Sequence, residues 1–335
     1  MTLRVAISGF GRIGRMTLRA LIETGRTDLD IVLINSPGPV ETSAHLYEFD
    51  SIHGRATGSV TYGEDWMDVG RGKIHMSRER NPADIPHAAH KIDVVLECSG
   101  HFNDAAKCSA HLDAGAKRIL VSAPCKGADG TIVFGVNHAD ITADHKILSN
   151  ASCTTNCLAP VAKALNDTLG IEAGYMTTIH AYTGDQPTLD SSHSDLRRAR
   201  AAAMSMIPTS TGAARSVGEV LPELKGKLNG SAIRVPTANV SCVDFGFTSA
   251  KATSSDEVNE ILRAAANGAL KGVLGVNDRP LVSIDFNHDP HSSIADLTQT
   301  YVMDEHLVRV LAWYDNEWGF SCRMLDNAVE ISKTL

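Results

Sequence analysis

The sequence predicts an α/β domain with a doubly wound parallel sheet, followed by an α+β domain with a mainly antiparallel sheet. Three observations lead to this prediction. The chain has 335 residues, which is long for a single hydrophobic core. Strands and helices alternate through its first half, and a glycine-rich turn follows the first strand. In the second half, longer strands follow one another with few helices between them, which is typical of an antiparallel sheet covered on one face.

The elements of the first half follow from hydrophobic spacing. The predicted strands are Leu3–Ser8, Asp30–Ile34, Ile92–Cys98, Arg118–Ser122 and Ile147–Ser149, and the predicted helices are Arg12–Thr24 and Ala105–Ala114. The pattern changes near residue 151, where we expect the domain boundary.

In the second half, the predicted helices are Thr154–Leu169, Ser255–Ala266 and Asn327–Ser332, and the predicted strands are Tyr175–His180, Ala232–Val235, Ser241–Thr248 and Val282–Asp285. The segment from Thr183 to Ile207 shows no strand alternation. Its part Leu196–Met206 has helical propensity, and a long irregular segment in a compact domain indicates either a functional loop or a wrong assignment.

Composition and charge narrow the functional classes. Hydrophobic residues make up 43% of the chain and charged residues 21%, as in ordinary globular proteins. A net charge of −8 gives no reason to expect nucleic acid or an acidic membrane as the main partner. No apolar run approaches the roughly 20 residues that cross a bilayer, and the N-terminus lacks a signal-peptide pattern. Seven scattered cysteines without a C-x-x-C pair are typical of free thiols in a reducing compartment, so we expect a soluble cytoplasmic enzyme.

The glycine-rich turn Gly9–Gly14 reads GFGRIG and fits the pattern G-x-G-x-x-G between a strand and a helix. Glycines allow a tight turn, and the helix N-terminus offers N–H groups to a pyrophosphate. Such turns also occur for structural reasons, but this context favours a Rossmann-like cofactor domain.

The acidic residue that should end the second strand and hold the adenosine ribose is missing, and Ser36 stands in its place. A neutral hydroxyl does not repel the 2′-phosphate of NADP as a carboxylate does. In the other reading, Ser36 only caps the turn and the cofactor is NAD.

Cys153 stands between a strand and a strongly helical segment, where unpaired N–H groups and the helix dipole are expected to lower a thiol pKa. His180 ends an apolar strand. A cysteine and a histidine far apart in sequence are the usual arrangement for thiolate catalysis, although each also occurs as a purely structural residue.

Six motifs resemble the glyceraldehyde-3-phosphate dehydrogenase family in order and spacing. They are GFGRIGR, SNASCTTNC, HAYTGDQ, PTSTGAA, IRVPTANVS and WYDNEWGF, and the match covers essentially the whole chain, from Arg4 to about Leu325. The resemblance implies the phosphorylating oxidation of glyceraldehyde 3-phosphate to 1,3-bisphosphoglycerate. Cys153 would form a thiohemiacetal and then a thioester, and His180 would act as its base.

The motifs and the resemblance together imply the remaining site residues. The expected contacts to the cofactor, NAD or NADP, are Gly9, Phe10, Gly11, Arg12, Ile13, Gly14, Ser36, Arg80, Ser99, Ser122, Ser192, Tyr314 and Asn316. The expected contacts to the substrate phosphate and to inorganic phosphate are Thr183, Asp185 and Arg234 for the first and Ser152, Thr154, Thr211 and Gly212 for the second.

The resemblance also implies a homotetramer in which the loop 183–207 lines a neighbouring subunit's cofactor site. Arg197, Arg198 and Arg200 would then make ion pairs across that interface. The implied domains are 1–151 for the cofactor, with a C-terminal helix 316–335 returning to it, and 152–315 for catalysis, including the loop 183–207. Ser191-Ser192 replaces the Leu-Pro that is common in NAD-using members and resembles members that accept NADP.

Two alternatives and one absence complete the prediction. Erythrose-4-phosphate dehydrogenase shares the cysteine and the histidine, but that branch usually loses residues equivalent to Thr183 and Thr211-Gly212, which this chain keeps. A nucleotide- or RNA-binding role without catalysis does not explain the retained nucleophile and anion sites. We expect no metal site, because His288-Asp289-Pro290-His291 has no third ligand nearby.

Overall fold

The computed structural model describes residues 2–335 and divides into two compact units. The first unit comprises residues 2–132, 138–151 and 321–335. The second unit comprises residues 133–137 and 152–320. Within residues 2–335, no helix is both long and apolar enough to span a membrane.

The first unit contains a nine-stranded, mainly parallel sheet within its described residues. Its strands are β1 (Leu3–Ser8), β2 (Leu29–Asn35), β5 (Thr61–Tyr62), β6 (Trp66–Asp68), β7 (Lys73–Ser77), β8 (Val94–Glu97), β9 (Arg118–Val121), β10 (Gly130–Thr131) and β11 (Ile147–Ser149), and β3 (Phe49–Asp50) pairs separately with β4 (Gly54–Arg55). Its helices are α1 (Arg12–Glu23), α2 (Val40–Glu48), α3 (His87–His90), α4 (Ala105–Cys108) and α5 (Ala110–Asp113).

The strand order indicates where a ligand would bind on this sheet. The order is β10-β11-β9-β8-β1-β2-β7-β6-β5, and β1 pairs in parallel with both β2 and β8. The register aligns Ser8 with Asn35 on one side and with Glu97 on the other. The chain reverses its winding direction at β1, and ligands of doubly wound sheets bind at the carboxyl ends of the strands at this point.

The second unit contains a seven-stranded, mainly antiparallel sheet within its described residues. Its helices are α6 (Cys153–Leu169), α7 (Ala213–Val220) and α8 (Ser255–Asn267), and its strands are β12 (Ile171–Ala181), β13 (Ile207–Ser210), β14 (Leu228–Val235), β15 (Ser241–Ser249), β16 (Leu274–Asn277), β17 (Ser293–Met303) and β18 (Leu307–Tyr314). The strand order is β13-β14-β12-β15-β18-β17-β16, and α6, α7 and α8 pack against this sheet. A last helix, α9 (Trp318–Ser332), begins in the second unit and continues into the first.

Three predicted elements differ from the structure. Val282–Asp285 was expected as a strand, but Ser283–Phe286 is a 3₁₀ helix, because the Asp285 side chain accepts the N–H of Val282 and closes a turn. Ala105–Ala114 is split into α4 and α5 at Ser109. The last helix begins nine residues before the Asn327 start that hydrophobic spacing predicted, because Asp315 accepts the N–H groups of Glu317 and Trp318.

The helical propensity of Leu196–Met206 is also overridden, since the segment forms turns. Asp195 accepts the N–H groups of Arg197 and Arg198, and Asp190 accepts the N–H of Ala201. These side-chain bonds compete with the helical hydrogen bonds of the backbone.

Candidate active site

The glycine turn after β1 leaves no room for side chains at two positions. Gly9 has a φ of +92°, and a Cβ atom there would lie 2.4 Å from the backbone of Ser99. A Cβ at Gly14 would lie 2.2 Å from the carbonyl oxygen of Gly9. By contrast, no atom lies within 4 Å of a Cβ placed on Gly11, which precedes α1 without a side-chain cap. The turn is therefore tight, and the N-terminus of α1 is left to bind an anion such as a pyrophosphate.

A cavity of about 550 Å³ opens beside this turn. Six residues predicted for the cofactor belong to its lining, namely Gly9, Phe10, Gly11, Ser36, Arg80 and Ser99. Asn35, Glu79, His101 and Phe102 also line it and were not predicted. Its position at the carboxyl ends of β1, β2 and β8, together with the glycine cradle, fits a dinucleotide.

Four further residues predicted to contact the cofactor do not line this cavity, and their contacts with the cofactor stay predictions. The Arg12 guanidinium binds Asp50 through both Nη atoms, with Nη2 3.2 Å from Oδ1. Burial opposes ionisation of Asp50, but the bonds from Arg12 and from the N–H groups of His53 and Ile52 hold its pKa at about 2. The Arg12 side chain is therefore a structural ion-pair partner. Ile13, Gly14 and Ser122 likewise do not belong to the lining, which is drawn from the described residues.

In the second unit, Cys153 is the first residue of α6. The Ser152 hydroxyl caps this helix and accepts the N–H of Thr155 at 3.0 Å. Thr154 and Thr155 are buried, so the helix start is anchored in the protein, whereas Cys153 keeps partial exposure. A capped and anchored helix start holds the thiol in one place.

Cys153 and His180 contact each other, with Sγ 3.5 Å from Nε2 of the imidazole. The opposite ring nitrogen, Nδ1, lies 2.6 Å from the carbonyl oxygen of Ala181. A carbonyl only accepts hydrogen bonds, so this contact assigns the proton to Nδ1. Nε2 then carries the lone pair that faces the thiol and can take its proton.

Burial and the nearby cation of Arg234 keep the imidazole neutral. Nη1 of Arg234 donates to the Ala181 carbonyl at 3.0 Å and lies 3.2 Å from Nδ1 of His180. Burial, and next the charge of Arg234, lower the pKa of His180 to about 3. At neutral pH, His180 is therefore a base and not a cation.

The thiol pKa differs from the sequence-based expectation. Burial raises the pKa of Cys153 above its ordinary value. The charge of Arg234 and hydrogen bonds from the N–H groups at the helix start lower it, as expected, but burial outweighs them. The resting site is thus a neutral thiol beside a neutral imidazole.

The strand register of the second sheet brings the residues around His180 to the same end of that sheet. His180 lies opposite Arg234, and Ser241 lies opposite Tyr314. Ser241 accepts the N–H of Ala181 at 3.1 Å and donates to Oδ1 of Asn316 at 2.8 Å. Asn316 is thereby oriented by Ser241, which also holds the N–H of Ala181, and its amide nitrogen is left as a donor.

Tyr314 and Thr154 were predicted to contact ligands, but both side chains are buried. The Tyr314 hydroxyl lies 2.9 Å from Oγ1 of Thr154 and 2.9 Å from Oγ1 of Thr178. Its ring meets the His180 ring edge-on, with centroids 5.9 Å apart. The Tyr314 side chain therefore links Thr154 to the surroundings of His180, and the contacts of both residues with ligands stay predictions.

Thr183, Asp185 and Arg234 form a polar cluster next to His180. Nη1 of Arg234 lies 2.9 Å from Oγ1 of Thr183, which also bonds to Asp185. Burial opposes ionisation of Asp185, but these contacts and the charge of Arg198 lower its pKa. The cluster combines the Arg234 cation and the Thr183 hydroxyl, groups of the kind that bind phosphate, with the carboxylate of Asp185.

Family models match both parts of the chain. The model for the NAD binding domain of glyceraldehyde 3-phosphate dehydrogenase matches residues 3–105, and the model for its C-terminal domain matches residues 152–316. The chain belongs to the glyceraldehyde 3-phosphate dehydrogenase family. The resemblance drawn from the motifs and the predicted fold class are therefore confirmed.

Full-length relatives agree with this assignment. Glyceraldehyde-3-phosphate dehydrogenase of Xanthobacter flavus is 64% identical over 333 residues, which cover 99% of both chains. The protein of that name from Cereibacter sphaeroides is 63% identical over 335 residues and 100% of both chains. Glyceraldehyde-3-phosphate dehydrogenase 2 of Bacillus subtilis is 50% identical over 328 residues, covering 97% of this chain and 96% of its own.

In this glyceraldehyde 3-phosphate dehydrogenase family member, two of the arginines predicted at a subunit interface pair with carboxylates of their own chain. Nη1 of Arg198 lies 3.1 Å from Asp185 and its Nε donates to Thr209 at 3.0 Å, and its place at a subunit interface stays a prediction. Arg200 likewise pairs within the chain, with Asp190. The run LRRAR was the only signal, and it does not distinguish a site arginine from a surface one.

The predicted inorganic-phosphate residues Thr211 and Gly212 stand at the start of α7, where Oγ1 of Thr211 accepts the N–H of Ala213 at 3.2 Å. Ser192 is exposed in the long loop. Within residues 2–335, no group of three metal-ligating side chains could hold an ion. His291 bonds to Asp289 at 2.8 Å, and His288 stacks on Trp318.

The position of Arg234 predicts an effect on Cys153 reactivity. Its cation stabilises the thiolate, so Arg234→Leu should raise the thiol pKa further and shift the pH profile of alkylation to higher pH. With the neutral reagent iodoacetamide, the rate at about pH 7 should fall about threefold or more. Arg200→Leu, which removes an exposed cation, is the control and should leave the rate unchanged. A profile that stays in place, or moves to lower pH, in Arg234→Leu contradicts this electrostatic assignment.

Proposed function

We propose that the chain is a phosphorylating glyceraldehyde-3-phosphate dehydrogenase that uses NAD or NADP. The contact between Sγ of Cys153 and Nε2 of His180 at 3.5 Å, beside the Arg234 and Thr183 cluster, is the observation that carries the proposal. A nucleophile, its base and an anion site adjoin one another, as the oxidation of a phosphorylated aldehyde requires. Full-length relatives with this name support the choice of substrate.

The first chemical step forms a thiohemiacetal. Sγ of Cys153 attacks the aldehyde carbon while Nε2 of His180 takes the thiol proton and returns it to the carbonyl oxygen, so that no net charge is created. The backbone N–H of Cys153 and the protonated imidazole are the donors proposed to stabilise the developing oxyanion.

Oxidation and acyl transfer follow on the same sulfur. A bound nicotinamide supplies the hydride acceptor, and the amide nitrogen of Asn316 is proposed to hold its carboxamide. The hydroxyl proton passes to His180 and then to solvent as the thioester forms. Phosphate next attacks the thioester carbon, the C–S bond breaks, and His180 passes the phosphate proton to the sulfur. The products are 1,3-bisphosphoglycerate, the reduced cofactor and one proton.

Two anions enter this reaction, and we propose two sets of contacts. Thr183 and Arg234 bind the phosphate of the aldehyde, and Asp185 orients Thr183, whose oxygen in turn accepts from Arg234. Ser152, Thr211 and Gly212 bind inorganic phosphate together with the N–H of Thr154, whose buried side chain takes no part. Arg198, which contacts Asp185, adds positive charge to this region.

We also propose that the protein acts as a homotetramer. Large hydrophobic side chains in the loop 183–207 are unusually exposed for a monomer. They are Leu189, Leu196, Met204 and Met206, between 73% and 83% exposed. Burial of this loop against a neighbouring subunit would bring Ser192 to the neighbour's cofactor. A cytoplasmic location fits the free cysteines.

The requirement for phosphate tests the proposed reaction. With glyceraldehyde 3-phosphate and NAD, sustained turnover should need phosphate or arsenate and should yield an acyl phosphate.

Cys153→Ser should abolish oxidation while NAD still binds, because a serine hydroxyl has far too high a pKa to replace the thiol. His180→Asn should keep weak activity, because the helix start still aids the thiol. Full-rate, phosphate-independent release of free acid would instead identify an erythrose-4-phosphate dehydrogenase, and binding of NAD or RNA without any turnover a non-catalytic protein.

For the cofactor, we propose dual use of NAD and NADP. Ser36 lines the cavity without charge, and Arg80 and Glu79 line it with opposite charges, so the described lining neither strongly attracts nor strongly repels a 2′-phosphate.

Restoring a carboxylate tests this reading. Ser36→Asp should lower kcat/KM for NADP about tenfold more than for NAD, which corresponds to a penalty of about 1.4 kcal/mol on the phosphate. Ser59→Asp adds the same charge at an exposed position outside the cavity lining and should not change the ratio. If the unmodified enzyme prefers NAD by several orders of magnitude, Ser36 is only a turn residue and the proposal fails.

A further inference from the structure

Three ionisable side chains form a buried chain in the first unit. Glu97 ends β8 and is 1% exposed, and His111 and His87 are 0% exposed. Oε2 of Glu97 lies 3.0 Å from Nε2 of His111, and Nδ1 of His111 lies 2.9 Å from Nε2 of His87. The proposed reaction uses none of these groups, and a buried polar chain of this kind is costly unless it is fully bonded.

The hydrogen bonds among His87, His111 and Glu97 have one favoured order of donors and acceptors. Burial, and next the charges of His111 and His90, lower the pKa of His87 to about 3, so its ring is neutral. Nδ1 of His87 has no partner within the described residues. A buried lone pair is less costly than a buried N–H without a partner, so His87 donates from Nε2 to His111. His111 then donates from its own Nε2 to Glu97.

The hydrogen-bonded series Glu97–His111–His87 ends at the wall of the cofactor cavity. The second oxygen of Glu97, Oε1, accepts the N–H of Ser99 at 2.7 Å and also the Ser99 hydroxyl. Ser99 lines the cavity, and its backbone packs closely against Gly9 of the glycine turn. The orientation of the Glu97 carboxylate therefore sets the position of Ser99 against the turn.

We propose that His111 and His87 are positioning residues for dinucleotide binding, acting through Glu97 on Ser99. The carboxylate needs a donor on each oxygen to hold one orientation. Ser99 supplies the donors on one side, and His111, itself oriented by His87, supplies the donor on the other. The inference rests on the proposed function only in that this unit binds a dinucleotide.

Two substitutions of His111 separate hydrogen bonding from packing. His111→Phe fills the space but removes the donor, and it should raise the Kd for NAD about tenfold, measured by isothermal titration on the apoenzyme. His111→Gln keeps an amide donor where Nε2 stood and should stay within about twofold of the unmodified protein. The alkylation rate of Cys153 reports on the second unit and should not change in either variant. The thermal midpoint of each variant shows that it is folded at the temperature of the titration.

His87→Leu gives a second, milder test. It leaves the His111–Glu97 bond in place but removes the donor to Nδ1 of His111, and we expect about a threefold rise in Kd. Unchanged Kd in folded His111→Phe and His87→Leu overturns the inference, and so does equal weakening by His111→Phe and His111→Gln, since packing would then be the cause. Failure of the unmodified protein to bind NAD would instead refute the proposed function.

Discussion

The carbonyl oxygen of Ala181 is the constraint on which the site of this protein depends. It accepts from Nδ1 of His180 at 2.6 Å and from Nη1 of Arg234 at 3.0 Å, so one backbone atom orients both side chains. The N–H of the same residue is held by Ser241, which also orients Asn316. Since β12, β14 and β15 fix this position by their register, the geometry of the base is a property of the sheet.

The charge balance of the catalytic pair follows from this arrangement. Burial and the charge of Arg234 keep the His180 imidazole neutral, and the same cation stabilises a thiolate on Cys153. Burial opposes charge on both groups. The pair therefore rests uncharged, and the cation lowers the energy of the thiolate when the proton leaves. This arrangement suits a reaction in which the same sulfur is nucleophile first and leaving group later.

Features that depend on short stretches of sequence could be predicted. The glycine turn, Cys153 at a helix start and the fold class follow from local patterns. The contacts of Ser241 could not be predicted, because they join strands far apart in the chain. The pairing of Arg12 with Asp50 and the raised thiol pKa depend on burial, which spacing does not report. Local patterns also favoured a strand at Val282–Asp285, where one side-chain hydrogen bond closes a turn instead.

The protonation state of His180 tests the central claim most directly. Nitrogen-15 NMR of the histidine rings in the apoenzyme, assigned with His180→Gln, distinguishes a protonated ring nitrogen from an unprotonated one. The account predicts a neutral ring from about pH 5 to about pH 8, with the proton on Nδ1 and the lone pair on Nε2. An imidazolium in this range, or a neutral ring with its proton on Nε2, would contradict it, because Nε2 could not then accept the thiol proton.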